Sequence, residues 1–284
     1  MTGHEPRRVL VTGAAGRLGR ATLDLLHRRG VAATALDLAD PGDLKADRVL
    51  VGDTADTDTV RAALDGVDAV VHCAAIPAPM LDTADNVFGG NTRGTFTVLE
   101  QAGQAGVRRA VLAGSQSALG LAFAPVPLRL HYVPVDEAHP LQPADPYALS
   151  KQVDEATGAM MARRHGMTVV SLRFPLLGGL DERLPVYAAN FAERPEWGAA
   201  SLWAYLEDRD AAAANWLALT RPLSGFHPIL VAAPNTLAPQ PTEELLDRFH
   251  PLVPRRAVFP GRAVPLDLTS AATLLSFTPQ HLHP

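Results

Sequence analysis

The stretch RVLVTGAAGRLGRATLDL, residues 8–25, begins as an apolar run and ends as an amphipathic pattern, with Gly13, Gly16 and Gly19 evenly spaced between the two. A strand that turns at once into a helix needs a residue without a β-carbon at the turn. A second glycine lets backbone approach a pyrophosphate, and a third lets the helix pack close to the strand. The helix start then offers unpaired N–H groups and a positive dipole end to an anion, from a turn that includes Ala15, Arg17 and Leu18. Asp37 closes the next apolar run, near the roughly 20-residue offset at which an acid accepts the adenosine ribose hydroxyls. These residues predict a dinucleotide site. Asp37 repels a 2′-phosphate and LDLADPGD supplies no arginine beside it, so NAD is expected over NADP. NADP stays possible because Arg17 can reach a phosphate from the turn.

Short apolar runs recur as RVLVTG, VAATALD, RVLVGD, DAVVHCAA, RAVLAGS and MTVVSLRF. Between them lie helix-like patterns at 17–29, 57–64, 91–105 and 147–165. Strands that are apolar throughout and alternate with helices predict a parallel sheet covered on both faces, the doubly wound α/β (Rossmann) fold. After Gly178 prolines crowd the chain, and only TEELLDRF, opened by Thr242, reads as a clear helix. The division expected is a cofactor-binding core with the catalytic residues over 1–177, and a small substrate-binding portion over 178–284 interleaved with it.

In DPYALSKQVDEA, Tyr147 and Lys151 are one helical turn apart and share a face. A tyrosine hydroxyl ordinarily titrates near ~10, and a neighbouring ammonium stabilises its phenolate. Tyr147 is therefore the expected general acid/base. Ser115 ends the run RAVLAGS at the carboxyl edge of the sheet, where such folds bind ligands, and can hydrogen-bond a substrate oxygen. Ser117 reads first as a turn residue and second as a substrate contact.

With these residues the chain resembles the short-chain dehydrogenase/reductases, in their extended NAD-dependent epimerase/dehydratase branch, and the resemblance runs over nearly its whole length. TGAAGRLG is similar to the branch's glycine fingerprint, YALSK to its Tyr-x-x-x-Lys, and Ser115 to its catalytic serine. The resemblance implies that Asp53 and Thr54 of VGDT contact adenine. It implies likewise that Ala74 and Ala75 of HCAAI line the cofactor, that Asn91 opens a helix beside it, and that Phe174 and Pro175 lie near the nicotinamide. Lys151 would also hold the nicotinamide ribose. Leu119 stands where the sugar-nucleotide epimerases carry tyrosine, and Gln116 and Ser117 where the dehydratases carry an Asp-Glu pair. The chain is most similar to the compact, uronate-dehydrogenase-like members, and the resemblance implies a homodimer through the helices at 91–105 and 147–165.

The net charge of −5 gives no basic surface for nucleic acid. The start MTGHEPRRVLV has no apolar signal core, no stretch is long enough to span a membrane, and Cys73 is the only cysteine. A cytoplasmic protein is expected. The histidines show no metal-ligand spacing, so no metal is expected; His72 reads as a packed core residue and Cys73 as a small buried hydrophobe. The long segment PLRLHYVPVDEAHP brings Arg129 and His131, and the sixth run Arg173, as substrate contacts. The reading is an oxidoreductase passing hydride between a secondary alcohol or hemiacetal of a sugar-like small molecule and NAD. A cofactor-retaining epimerase is the first alternative, and a non-catalytic nucleotide sensor the second.

Overall fold

In the computed structural model, which describes residues 5–284, the apolar runs become parallel strands. The first four residues, part of the start read for a signal core and of the 1–177 division, lie outside the described residues. Strands β1 (Arg8–Thr12), β2 (Ala32–Asp37), β3 (Arg48–Val51), β4 (Ala69–His72), β5 (Arg109–Ser115) and β6 (Thr168–Phe174) alternate with helices. These are α1 (Arg17–Arg28), α2 (Thr57–Ala63), α3 (Ala84–Gln104) and α4 (Pro146–His165). The later part adds β7 (Leu176–Gly178), α5 (Arg183–Glu193), α6 (Glu196–Ala199), β8 (Tyr205–Glu207), α7 (Asp208–Thr220), β9 (Phe226–Leu230) and α8 (Thr242–Phe249).

Seven strands form one parallel sheet in the order β3-β2-β1-β4-β5-β6-β9. Its central strands are buried on both faces, as at Val9, Leu10, Val70, Val71, Ala110 and Val111, which is why their sequences are apolar at consecutive positions. The chain reverses its direction of travel across the sheet between β1 and β4, leaving a crevice at the carboxyl ends of those strands. Register puts Thr12 beside His72 and Ser115 beside Phe174 on that edge. The carboxyl ends of β1, β4, β5 and β6 thus lie along one rim.

The helix boundaries follow capping chemistry. Asp56 and Asp145 accept N–H groups of the first turns of α2 and α4, and Gly166 ends α4 in the left-handed region. Helix α3 begins at Ala84, well before the expected 91, because Thr83 caps it and accepts the Asn86 N–H at 3.3 Å. Gly89 and Gly90 dilute the apolar period in that first part. Strand β9 was not expected from FHPIL. It stands at the sheet's edge with β6 as its one neighbour, where the missing N–H of Pro228 is tolerated.

Residues after 178 are interleaved with the core rather than set apart from it. Helix α7 packs on α1, with buried Asn215 donating to Thr22 Oγ1 at 3.0 Å, while β9 extends the sheet. The segment 121–145 is pinned to the C-terminal part, Val133 N donating to the Pro254 carbonyl at 2.9 Å and Val135 N to that of Pro265 at 3.0 Å. Leu121, Leu130, Val133 and Val135 share an apolar cluster with Leu230, Leu246, Phe259 and Leu266. Among the described residues no helix is long and apolar enough to cross a membrane.

Candidate active site

The glycine turn is built as its spacing predicts. Gly13 has φ +62, and a Cβ there would stand 2.6 Å from the Ala74 nitrogen. At Gly19 a Cβ would meet the Gly13 carbonyl at 2.2 Å. These two glycines let the turn, the helix and the β4 end touch. Gly16 differs: its Cβ would meet only the Gly13 carbonyl, at 3.2 Å, so its bareness leaves the outer face of the turn open. Gly16 is also the N-cap of α1 without a capping side chain, whereas Asp56, Thr83 and Asp145 cap α2, α3 and α4. An open glycine face under an uncapped helix start fits a pyrophosphate. Asp37 lies on the same rim, its Oδ2 accepting the Ala15 N–H at 2.8 Å and its Oδ1 that of Leu38 at 2.7 Å. Leu38, which the sequence reading passed over, is 72% exposed beside it and offers an apolar face to a base. Leu18 is buried in the first turn of α1.

Asp53 forms a turn, its Oδ1 accepting the Ala55 N–H at 2.8 Å, and Thr54 Oγ1 lies where a side chain at Gly94 of α3 would be, 2.6 Å from its Cβ. Ala74 and Ala75 follow β4 at the crevice, half-buried. Asn91 is buried, accepting the Ile76 N–H at 2.8 Å and donating to the Ile76 carbonyl and to Ser150 Oγ at 3.1 Å. Its amide braces the loop after β4 against α4.

Ser115, Tyr147 and Lys151 lie where the end of β5 meets the first turns of α4. Ser115 Oγ accepts the Ser117 N–H at 3.0 Å, which orients the hydroxyl at the end of β5 and uses Ser117 as the turn residue. Tyr147 enters at the first turn of α4, where Asp145 and Pro146 start the helix, and its ring packs edge-on against Phe123 with centroids 5.9 Å apart. Lys151 Nζ lies 5.8 Å from the Tyr147 ring centroid and donates to the Ala113 carbonyl of β5 at 3.2 Å. The lysine thereby ties the tyrosine helix to the serine strand. Phe174, buried, and Pro175 follow alongside Ser115.

The second partner of Lys151 is Asp154, whose Oδ2 is 3.2 Å from Nζ, both side chains being buried. Burial pulls the lysine pKa down, but the charges of Asp154 and of Tyr147 outweigh it and raise it above the ordinary value. The ammonium therefore persists. Asp154 was missed in the sequence, although its position three after Lys151 on one helix was a usable signal. Burial pushes the half-buried Cys73 thiol up to about 12, with Lys151 opposing, so it is a protonated packing group and not a nucleophile.

Two arginines stand elsewhere than expected. Arg17 spends its guanidinium on Glu182 and Asp208, each at 3.0 Å, because α7 brings a carboxylate over the start of α1. A phosphate would have to compete with these two carboxylates for it. Arg173 is buried and bidentate on Glu155 at 2.8 and 2.9 Å, with a further bond to the Glu137 carbonyl, so it staples β6 to α4 and leaves the substrate role. Arg129 and His131 are exposed on the pinned segment; the His131 N–H donates to His139 Nε2 at 3.0 Å.

His72 is the core residue expected, its Nδ1 2.7 Å from Thr12 Oγ1 and its Nε2 3.1 Å from Thr95 Oγ1. Burial, with the field of Lys151 adding to it, pushes its pKa down to about 3. An unfolded histidine titrates near ~6.5, so between these values the unfolded chain binds the extra proton and stability falls as pH drops through that window. Thermal melting followed from pH 7 to 4 is expected to show this fall, and His72→Gln a shallower one. An unchanged slope in the variant would assign the acid sensitivity to other groups.

A glycine-turn nucleotide crevice with a serine, a tyrosine and a lysine on one rim defines a nicotinamide-dependent enzyme of the short-chain type. The family model "NAD dependent epimerase/dehydratase family" matches residues 9–232, and the chain belongs to that family. L-arabinose 1-dehydrogenase (NAD(P)(+)) of Haloferax volcanii is 35% identical over 62% of this chain and 69% of its own. Uronate dehydrogenase of Pseudomonas syringae pv. tomato is 30% identical over 58% of each chain, so the match spans little more than half of that relative. Among solved structures, a short-chain dehydrogenase/reductase superfamily protein from Agrobacterium tumefaciens with bound NAD superposes with a TM-score of 0.71. It is 27% identical, over 97% of this chain and 93% of that one. The chain is an enzyme of this NAD-dependent family.

Proposed function

We propose that this enzyme oxidises a secondary alcohol or hemiacetal carbon of a sugar, with Tyr147 as the acid/base. The observation that carries the reading is Lys151, held as an ammonium beside the Tyr147 ring and tied to the Ala113 carbonyl of the serine strand. NAD, when bound, supplies the hydride acceptor. Gly13, Gly16, Gly19 and the start of α1 hold its pyrophosphate, and Asp37 its adenosine ribose. Ser115 Oγ donates to the substrate oxygen and fixes its place. Tyr147, acting as the phenolate that the Lys151 ammonium stabilises, takes that oxygen's proton as the carbon gives up hydride, and is left as the neutral phenol.

The portion after 178, with Arg129 and His131 of the pinned segment, faces the substrate. The relatives' names point to pentoses and uronic acids. The test is formation of NADH with a panel of aldoses, uronic acids and sugar phosphates. If no sugar yields NADH while near-equimolar NAD survives purification, the epimerase alternative takes its place.

We read the assembly as a homodimer in the cytoplasm. Helices α3 and α4 pack on one another and still leave Phe96 and Leu149 exposed at 47% and 40%, apolar surface that a second copy would cover. Leu149→Arg is expected to sediment as a monomer where the wild type sediments as a dimer; equal sedimentation rejects this face.

A further inference from the structure

The backbone N–H and carbonyl of Ala15 in the glycine turn are held by opposite charges. Asp37 Oδ2 accepts its N–H at 2.8 Å, and Arg20 Nε donates to its carbonyl at 3.0 Å. The guanidinium thus stands across one residue of backbone from the carboxylate assigned to the ribose, close enough for the two charges to interact. Both terminal nitrogens of Arg20 are engaged by Asp43, at 3.0 and 2.9 Å. The segment after β2 contains no arginine next to Asp37, yet helix α1 delivers one to the same corner.

We propose that Arg20 and Asp43 form the latch that selects NAD over NADP. Asp43 occupies the edge of the guanidinium that a 2′-phosphate would otherwise take, and removing Asp43 turns Arg20 into a phosphate receptor. The inference rests on the reading of the glycine turn as the cofactor site. The planar fork of a guanidinium matches carboxylate and phosphate alike. The pair is exposed, at 39% and 65% of the two side chains, so without Asp43 the fork would stand open to an anion from solution. The bond from Nε to the Ala15 carbonyl anchors the guanidinium whichever anion fills its fork. Arg17, the other arginine of this helix turn, does not compete, being held by Glu182 and Asp208. Asp37 and Asp43 therefore exclude the 2′-phosphate by two routes: the first repels it, and the second blocks its receptor.

Calorimetric titration of the purified full chain with NADH, 5′-AMP and 2′,5′-ADP tests the latch without a substrate. The wild type should bind NADH, and 2′,5′-ADP no more tightly than 5′-AMP. In Asp43→Ala the affinity for 2′,5′-ADP should rise by about tenfold, one charge-assisted contact, with that for 5′-AMP unchanged. Adding Arg20→Gln should erase the gain. NADH binding with no gain in Asp43→Ala, or a gain that survives Arg20→Gln, overturns the latch alone. A wild type that binds no NADH overturns the cofactor reading and the latch with it.

Discussion

Tyr147→Phe is expected to lower the rate of sugar oxidation by roughly 10²- to 10⁴-fold, the usual contribution of a positioned acid/base, while NADH binding stays intact. Phenylalanine keeps the ring and its edge contact with Phe123, so the substitution subtracts the hydroxyl alone. The two arms are separable by measurement, NADH formation reporting chemistry and a fluorescence titration reporting the cofactor site. Turnover at the wild-type rate would remove Tyr147 from the mechanism. Loss of both activities would mean that the side chain shapes the cofactor crevice instead. Ser115→Ala should weaken turnover in the same direction, because the Ser117 N–H that it now accepts marks an oriented hydroxyl and not a free one.

Asp154→Ala should be the most destabilising change near the site. Lys151 and Asp154 have side chains only 6% and 5% exposed, and removing the carboxylate leaves an ammonium buried with the Ala113 carbonyl as its remaining neutral partner. Breaking such a pair from one side costs about 3–5 kcal/mol. At about 2–4 °C per kcal/mol for a chain of this size, the melting temperature should drop by roughly 10 °C. The double change Lys151→Met with Asp154→Leu should recover most of that loss, since replacing both charges by apolar groups is often neutral. Activity would not return with it, because the ammonium beside Tyr147 is gone. A single variant that melts with the wild type would show that the pair is not energetically buried.

The catalytic helix illustrates how far local sequence reaches. Asp145 and Pro146 start α4, Tyr147 and Lys151 fall one turn apart, and Gly166 stops it, all of which can be read from contiguous residues. The same stretch hides the partner of Lys151 until one asks what neutralises a buried ammonium. Asn91 shows the converse: its place at a strand-proximal helix is legible, but its bonds to Ile76 and Ser150 exist only because α3 and α4 pack together. Strand β9 was unreadable because an edge position excuses a proline that a central strand would not tolerate.

By itself the sequence determined the doubly wound sheet, the glycine turn, the acid after β2 and the serine, tyrosine and lysine at the rim. These follow from periodicity, β-carbon sterics and turn chemistry, which act between residues close along the chain. Only the tertiary structure decided which charges meet: Arg17 with Glu182 and Asp208, Arg173 with Glu155, Arg20 with Asp43 beside Asp37. The physical reason is that an ion pair depends on distance in space. A guanidinium on a long flexible stem takes whichever carboxylate the packing of helices and loops brings within reach.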